Sequence, residues 1–164
     1  MNGDVSGDVN EELRNEIAGA LDGLADWQLE AVARLVRTID PAIGYGVPPY
    51  VLGFRKLDYA DGRVTGEAAI TQIHLNPHSV AHGMVTFGLL DNAFGQCVHN
   101  ATGTPCIAVE VKVQYLKAVR PGTVRVDASL VRAGRRIAGV EGRIIDPEGE
   151  VAVLGTATYY LLSP

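Results

Sequence analysis

One carboxylate, Asp91, stands in the middle of an unusually apolar segment of this chain. Within residues 84–98 the other polar residues are Thr86, Asn92 and Gln96, and this run predicts a long helix enclosed by the rest of the protein. An Asp is rarely buried without a partner or a purpose, and carboxylates serve enzymes as general bases and as nucleophiles. Asp91 is therefore either a functional carboxylate that faces a cavity or a structural one whose hydrogen bonds are satisfied.

Two glycines flank Asp91 on the same face of the predicted helix. Gly88 stands three residues before the carboxylate and Gly95 four residues after it. A glycine inside a helix costs about 1 kcal/mol relative to alanine. The pair therefore predicts that another group approaches the helix closely beside Asp91.

A polar loop containing Asn76, His82 and Gly83 runs into this helix. The first backbone N–H groups of a helix have no intrahelical partner, and the helix dipole favours negative charge near them. Gly83 lets the backbone come close to a ligand because it carries no Cβ. A His before a helix is often only structural, and Asn76 before Pro77 is a common turn residue.

The composition limits the class of protein. The chain has 164 residues, of which 47% are hydrophobic and 20% charged, as expected of one soluble globular domain. It has no run of 18 apolar residues and no signal-peptide pattern, so we expect no membrane association. Two cysteines, Cys97 and Cys106, make neither a disulfide framework nor a zinc site and favour the cytoplasm. The four histidines show no metal-ligand spacing with nearby acids, so we predict no metal site.

The charge is distributed unevenly along the chain. Residues 1–50 hold nine acids and three bases, whereas residues 51–164 hold ten acids and eleven bases. Within residues 112–136, seven bases stand against the single acid Asp127. These bases are either an ordinary solvated strand face or an anion-binding rim for a phosphate-bearing small molecule. Nucleic acid is not expected, because the chain is acidic overall and shows no basic helix or aromatic stacking motif.

The hydrophobic pattern predicts two amphipathic helices at 11–22 and 26–39, with Asp26 as the N-cap of the second, after a disordered stretch over residues 1–10. Residues 41–49 hold two Gly and three Pro and form a connector. Beyond it, the pattern predicts one helix at 83–100 and strands at 51–59, 63–73, 107–116, 123–131, 136–145 and 150–161. Short turns between the strands favour an α+β fold in which an antiparallel sheet wraps around one long central helix.

Three segments resemble the hotdog-fold acyl-CoA thioesterases, most of all the phenylacetate-degradation (PaaI-like) type and the related 4-hydroxybenzoyl-CoA thioesterases. The segments are the run from Asn76 through His82-Gly83 to Asp91, the strand and turn Val111–Gly122, and the turn Ala133-Gly134-Arg135. The resemblance covers about 51–162. It implies a hotdog domain over 47–164, preceded by an N-terminal tail and helical extension over 1–46.

The chain departs from the family pattern at three positions. Ser79 and Met84 stand where glycine is usual, and Ala108 stands near where many relatives carry a Ser or Thr that helps to place the water. Met84 could narrow the pocket or change the loop conformation. Ala108 removes a hydroxyl group.

The resemblance implies hydrolysis of an aryl or medium-chain acyl-CoA thioester to the free acid and CoA, with no cofactor besides the CoA of the substrate. Asp91 would act as general base or as nucleophile, and the Gly83 N–H would polarise the carbonyl. Asn76 would bind the water or the thioester carbonyl, and His82 would hold the loop or donate a hydrogen bond. We expect substrate contacts from Met84, Phe87, Lys117, Arg135 and Arg136, the last three at the CoA phosphates.

The resemblance also implies a homodimer in which each site takes the helix-start loop from one chain and Asp91 from the other. Further pairing to a homotetramer is common in the family. Two other functions stay open. One is a non-hydrolysing acyl-CoA-binding or regulatory protein on the same fold, which the departures at Met84 and Ala108 favour. The other is an acyl-thioester dehydratase or hydratase, whose arrangement of His and acid this chain does not show clearly.

Overall fold

The computed structural model of the protein describes residues 5–38 and 52–162. Their elements are helices α1 (Val5–Leu21), α2 (Asp26–Thr38) and α3 (Gly83–Thr102), a 3-10 turn at Gln72–His74, and strands β1 (Phe54–Ala60), β2 (Arg63–Ile70), β3 (Cys106–Tyr115), β4 (Gly122–Ala133), β5 (Ile137–Ile145) and β6 (Val151–Leu161). The six strands form one antiparallel sheet in the order β1-β2-β4-β5-β6-β3. The predicted α+β hotdog fold, with its N-terminal helical pair, is confirmed.

Helix α3 packs along one face of this sheet and supplies much of the core. Leu89, Leu90 and Phe94 on the helix are fully buried, as are Val124 and Val126 on β4. Burying a side chain of this size stabilises the fold by about 1.5–3 kcal/mol. The apolar side of the helix thus packs against the sheet, so the opposite side of the helix faces away from the sheet.

Two glycines make the space that the helix needs at the centre of the sheet. Gly142 on β5 and Gly155 on β6 are register partners. A Cβ atom on Gly142 would lie 2.7 Å from the Phe94 ring, and one on Gly155 would lie 3.2 Å from it. Such distances are shorter than carbon atoms tolerate in a packed core. The missing side chains therefore let Phe94 enter the sheet and fix the rotation of α3.

We expect Gly142→Ala to lower the free energy of unfolding by about 1–3 kcal/mol, the usual cost of overpacking. The new methyl group would meet the Asp127 carbonyl oxygen at 2.6 Å as well as Phe94, and backbone on a central strand cannot move away. Thermal and urea unfolding measure the effect. Gly139→Ala, on the same strand, is the matched control, because nothing lies within 4 Å of its new Cβ. Equal stability of the two variants would contradict this account.

The other face of the sheet is polar and lies on the far side from α3. Asp127 is buried there between Arg63 and Arg143, which both donate hydrogen bonds to its carboxylate. The hydrogen bond from Arg63 is the main reason that the pKa of Asp127 is lowered. The single acid within the basic run 112–136 therefore has its own partners within the sheet.

The structure corrects three local predictions. Helix α1 begins at Val5, so residues 5–10 are helical where we predicted disorder; their Val5 and Val9 continue the four-residue apolar spacing of the helix. Asp26 is the first residue of α2, and Ala25 caps it, with its N–H bonded to the Gln28 side chain at 2.9 Å. Strand β2 ends at Ile70, and the 3-10 turn replaces its predicted last residues.

Helix α2 contacts the 3-10 turn at Gln72–His74 of the hotdog domain. The predicted connector over 41–49 and the predicted boundary between residues 46 and 47 lie outside the described residues. No helix in the described segments 5–38 and 52–162 is both long enough and apolar enough to cross a membrane.

Candidate active site

A tight turn over Asn76–Val80 starts the loop that leads into α3. The Asn76 side-chain oxygen accepts hydrogen bonds from the N–H groups of His78, at 2.9 Å, and Val80, at 3.4 Å. Ser79 adopts a φ of 59°, in the left-handed region that favours glycine. This backbone requirement accounts for the glycine that the family usually carries there. Asn76 thus has the turn role, and its predicted contact with water or substrate stays a prediction.

His82 caps the N-terminus of α3. Its Nδ1 atom accepts a hydrogen bond from the Met84 N–H at 3.1 Å, and its carbonyl oxygen accepts one from the Val85 N–H at 2.9 Å. Its own N–H donates to the His74 carbonyl at 2.8 Å. A neutral His82 with an accepting Nδ1 carries its proton on Nε2. These hydrogen bonds tie His82 to the loop and to the helix start, and its predicted role at the site stays a prediction.

Gly83 is the first residue of α3, and its N–H makes no hydrogen bond with any residue that the structure describes. Its carbonyl oxygen, by contrast, accepts from the Thr86 hydroxyl at 3.1 Å and from the Tyr115 hydroxyl at 3.2 Å. A Cβ atom on Gly83 would meet the Tyr115 ring at 3.3 Å. Gly83 is thus fixed in place with its N–H unused, which is the arrangement that an oxyanion donor requires.

Asp91 lies two turns further along α3, and its carboxylate is half-buried where we predicted a buried one. The Tyr159 hydroxyl from β6 lies 3.0 Å from the Asp91 Oδ1 atom and 3.0 Å from its carbonyl oxygen. The same side of the helix carries Met84, which is 67% exposed, and Phe87, which is 37% exposed. Asp91 therefore has a structural partner and also faces an open, apolar side of the helix, so features of both predicted alternatives are present.

Side chains of the same chain occupy the space beside the two glycines that flank Asp91. A Cβ atom on Gly88 would lie 2.8 Å from Leu52, and one on Gly95 would lie 3.6 Å from the Tyr159 hydroxyl. The predicted close approach exists, and protein side chains make it. Tyr159 is the register partner of Ala108, the position on β3 near which many relatives carry a Ser or Thr. The hydroxyl that reaches Asp91 therefore comes from the neighbouring strand β6.

Gly83 and Asp91 do not meet within one chain. Eight residues of α-helix separate them, and this number of residues corresponds to about 12 Å along the axis. A donor and a base that act on one carbonyl must each come within about 3 Å of the reacting atoms. Within one chain, Gly83 and Asp91 are therefore too far apart to act on the same carbonyl group.

A cavity of about 290 Å³ opens beside the start of α3. Gly83, Thr86 and Tyr115 contribute to it. The remaining lining is largely aliphatic and comes from Val80, Ala81, Leu116, Lys117, Ala118, Val119 and Val153. An apolar group attached to a carbonyl at Gly83 would find space there.

The three basic residues that we predicted at the CoA phosphates have different surroundings. Lys117 contacts the carboxylates of Asp146, Glu148 and Glu150, which raise its pKa. In turn, the hydrogen bond from Lys117 is the main reason that the pKa of Asp146 is lowered to about 2. Its charge is therefore already balanced.

Arg135 and Arg136 lie exposed at the turn between β4 and β5, away from these acids. The Arg136 guanidinium lies over the Tyr160 ring, 5.8 Å from the ring centre, and hydrogen-bonds to its hydroxyl. Neither guanidinium group has a carboxylate partner among the described residues.

Sequence reasoning did not identify the two tyrosines of this site. Tyr115 lies within the segment that carries the resemblance, but its contact with Gly83 joins residues 32 positions apart. Tyr159 stands 68 positions from Asp91 in a strand of ordinary composition. Only the sheet order, which places β6 beside β3 and beneath α3, could have pointed to it.

Comparison with known proteins identifies the family. Residues 78–153 match the sequence model of the thioesterase superfamily. A protein of Archaeoglobus fulgidus that carries the provisional name of esterase is 30% identical over 111 residues, which cover 67% of this chain and 71% of that protein.

Solved structures share the fold. A Bacillus halodurans protein determined with CoA superimposes with a TM-score of 0.75 at 23% identity, over 88% of this chain and 99% of its own. A mutant of the phenylacetic acid degradation protein PaaI from Thermus thermophilus superimposes with a TM-score of 0.65 at 27% identity, over 70% of this chain and 97% of its own.

The match to the Bacillus halodurans protein extends beyond the hotdog domain. Residues 52–162 make up only about two thirds of the chain, so a superposition over 88% includes part of the N-terminal extension. The predicted resemblance to PaaI-like thioesterases is confirmed. The chain belongs to the thioesterase superfamily and is a hotdog-fold thioester hydrolase.

Proposed function

We propose that the protein hydrolyses an acyl-CoA thioester of the aryl or medium-chain class to the free acid and CoA. One observation carries this proposal: the Gly83 N–H at the N-terminus of α3 has no hydrogen-bond partner among the described residues, while an open side of the same helix presents Asp91. The two groups supply polarisation of a carbonyl and activation of a nucleophile. These are the two requirements of thioester hydrolysis that side chains and backbone have to meet.

In the reaction, an oxygen atom bonds to the thioester carbon while the carbonyl electron pair moves onto its oxygen, which the Gly83 N–H stabilises. If Asp91 is the general base, the attacking oxygen belongs to a water whose proton Asp91 takes. If Asp91 is the nucleophile, its own oxygen attacks, and water then cleaves the resulting anhydride. In both routes the C–S bond breaks and a proton reaches sulfur, so the products are the acid and the CoA thiol.

We infer that a homodimer completes the site. Since one chain separates Gly83 from Asp91 by about 12 Å, the second copy has to supply the missing half. Strand β3 is an edge of the sheet and carries exposed Ile107, Val109 and Tyr115, of which Val109 is 62% exposed. Natural proteins rarely leave such an edge unpaired. Two-fold pairing at β3 gives two equivalent sites, each with Gly83 of one chain and Asp91 of the other.

The open side of α3 and the cavity beside it suit the acyl group. Met84 and Phe87 lie exposed on the same side of the helix as Asp91 and present apolar surface to a bound chain or ring. Arg135 and Arg136 are the proposed contacts for the CoA phosphates, because neither faces a carboxylate of the described residues. The protein determined with CoA shares this fold.

We also keep the prediction of a cytoplasmic location, which rests on the free Cys97 and Cys106.

The test is release of free thiol from a panel of aryl- and alkyl-CoA esters, with wild type measured beside Asp91→Asn. We expect turnover of at least one ester by the wild type and none detectable by the variant, because an amide neither takes a proton nor attacks the carbonyl. The panel ranks the acyl groups. Binding of CoA esters by a folded wild-type dimer without any thiol release would overturn the proposal and favour an acyl-CoA-binding protein.

A further inference from the structure

We infer that Tyr159 is a positioning residue for the proposed catalytic carboxylate: its hydroxyl holds Oδ1 of Asp91 and leaves Oδ2 for the reaction. The inference rests on the proposed function, since it gives Asp91 a defined orientation within that mechanism. It concerns a residue of β6, which none of the sequence motifs includes.

The geometry restrains both partners. Tyr159 is 4% exposed and belongs to the core cluster between α3 and the sheet. Its hydroxyl lies 3.0 Å from both the Asp91 Oδ1 atom and the Asp91 carbonyl oxygen, which share its one proton, and it packs beside Gly95, one turn further along the helix. Since an aromatic side chain in a packed core has a single ring position, the hydroxyl is a fixed point from which the carboxylate is oriented.

The second oxygen of the carboxylate is left available. Among the residues that the structure describes, none donates a hydrogen bond to the Asp91 Oδ2 atom. A carboxylate held at one oxygen cannot rotate freely, but it can still accept a proton or attack through the other. This is the condition that a base or nucleophile on the rim of a shared site has to meet.

The protonation state of Tyr159 suits the role. Burial raises the pKa of this phenol far above its ordinary value, and the adjacent Asp91 carboxylate raises it further. The hydroxyl therefore keeps its proton at neutral pH, so it acts as a donor and not as a competing base. A donor to an ionised acceptor also makes a stronger hydrogen bond than one between neutral groups.

The experiment measures kcat and KM of Tyr159→Phe, which keeps the ring and removes only the hydroxyl. We expect kcat to fall by about 10- to 100-fold, the loss of one hydrogen bond to a charged group, and KM to stay within about twofold. Tyr59→Phe is the control. Tyr59 lies on the opposite edge strand β1, is 40% exposed, and is expected to change neither constant.

A second measurement tests whether Tyr159 and Asp91 interact in solution. Thermal unfolding of Tyr159→Phe, Asp91→Ala and the double variant forms a double-mutant cycle. We expect the fall in Tm caused by Tyr159→Phe to become smaller when Asp91 is already alanine. Additive effects, or a lower Tm of Tyr159→Phe with unchanged kcat, would overturn the inference.

The outcomes distinguish the inference from the function on which it rests. If wild type releases thiol, Asp91→Asn does not, and Tyr159→Phe matches wild type, then only the inference on Tyr159 fails. If wild type releases no thiol from any ester, the proposed function fails, and the catalytic role of Tyr159 fails with it.

Discussion

Gly83→Pro is expected to lower kcat by about 100- to 1000-fold while the protein stays folded, because proline has no N–H to offer the oxyanion. Proline is favoured at the first position of a helix, which is where Gly83 stands. It also requires an extended residue before it, and His82 has φ −60° and ψ 137°. The substitution therefore removes one donor and leaves the helix start intact.

Gly83→Ala is the matched control for this variant. It adds a Cβ atom at nearly the same place, 3.3 Å from Tyr115, but keeps the N–H. Because Tyr115 is 58% exposed, its ring can shift by the few tenths of an ångström that the contact demands. We expect at most a few-fold loss of kcat for Gly83→Ala. Circular dichroism and native mass should match wild type for both variants. A folded proline variant with wild-type kcat would exclude the Gly83 N–H from catalysis.

Mixing two inactive variants is expected to restore about one quarter of wild-type activity, if each site is shared between two chains. A dimer of one Asp91→Asn chain and one Gly83→Pro chain has one site with both intact groups and one site with neither. Random pairing makes about half of the dimers mixed, and each of these has one working site of two. Co-expression of the two variants with different affinity tags, followed by thiol-release assays, measures the recovery.

Tandem purification on both tags isolates the mixed dimer, whose activity should approach half that of wild type. Each variant paired with its own kind, carried through the same purification, should show no recovery. Mixed dimers that are as inactive as their parents would mean that Gly83 and Asp91 act in the same chain. That result would contradict a site shared between two chains, whatever the substrate is.

The sequence was most informative where function and local structure depend on neighbouring residues. The loop from Asn76 to Gly83 leads into a helix that carries Asp91, and this arrangement can be read within 16 residues. Helix capping and hydrophobic periodicity are local effects, so the start of α3 at Gly83 was predicted at the correct residue. The alternation of apolar residues and the turn signals likewise predicted every strand of the sheet to within a few residues.

Contacts between distant segments could not be read in this way. Tyr159 reaches Asp91 because β6 lies beneath α3, a consequence of sheet order that no local pattern contains. Lys117 was predicted at the CoA phosphates, but the turn between β5 and β6 brings the Asp146 carboxylate to it. The space that Gly142 leaves for Phe94 also depends on register between strands. Each of these contacts depends on which strands pair and which segments pack together in the fold.

The entry of Phe94 into the sheet gives helix α3 a constrained central turn, whereas its first turns carry exposed side chains, and this difference matters for engineering the enzyme. Substitutions at Phe94, Gly142 or Gly155 would disturb the central packing and turn the helix, so libraries should leave them unchanged. Met84 and Phe87, nearer the N-terminus of the helix, are 67% and 37% exposed. Changing their size should alter which acyl chains are accepted at little cost in stability, which makes these two positions the place to begin directed evolution.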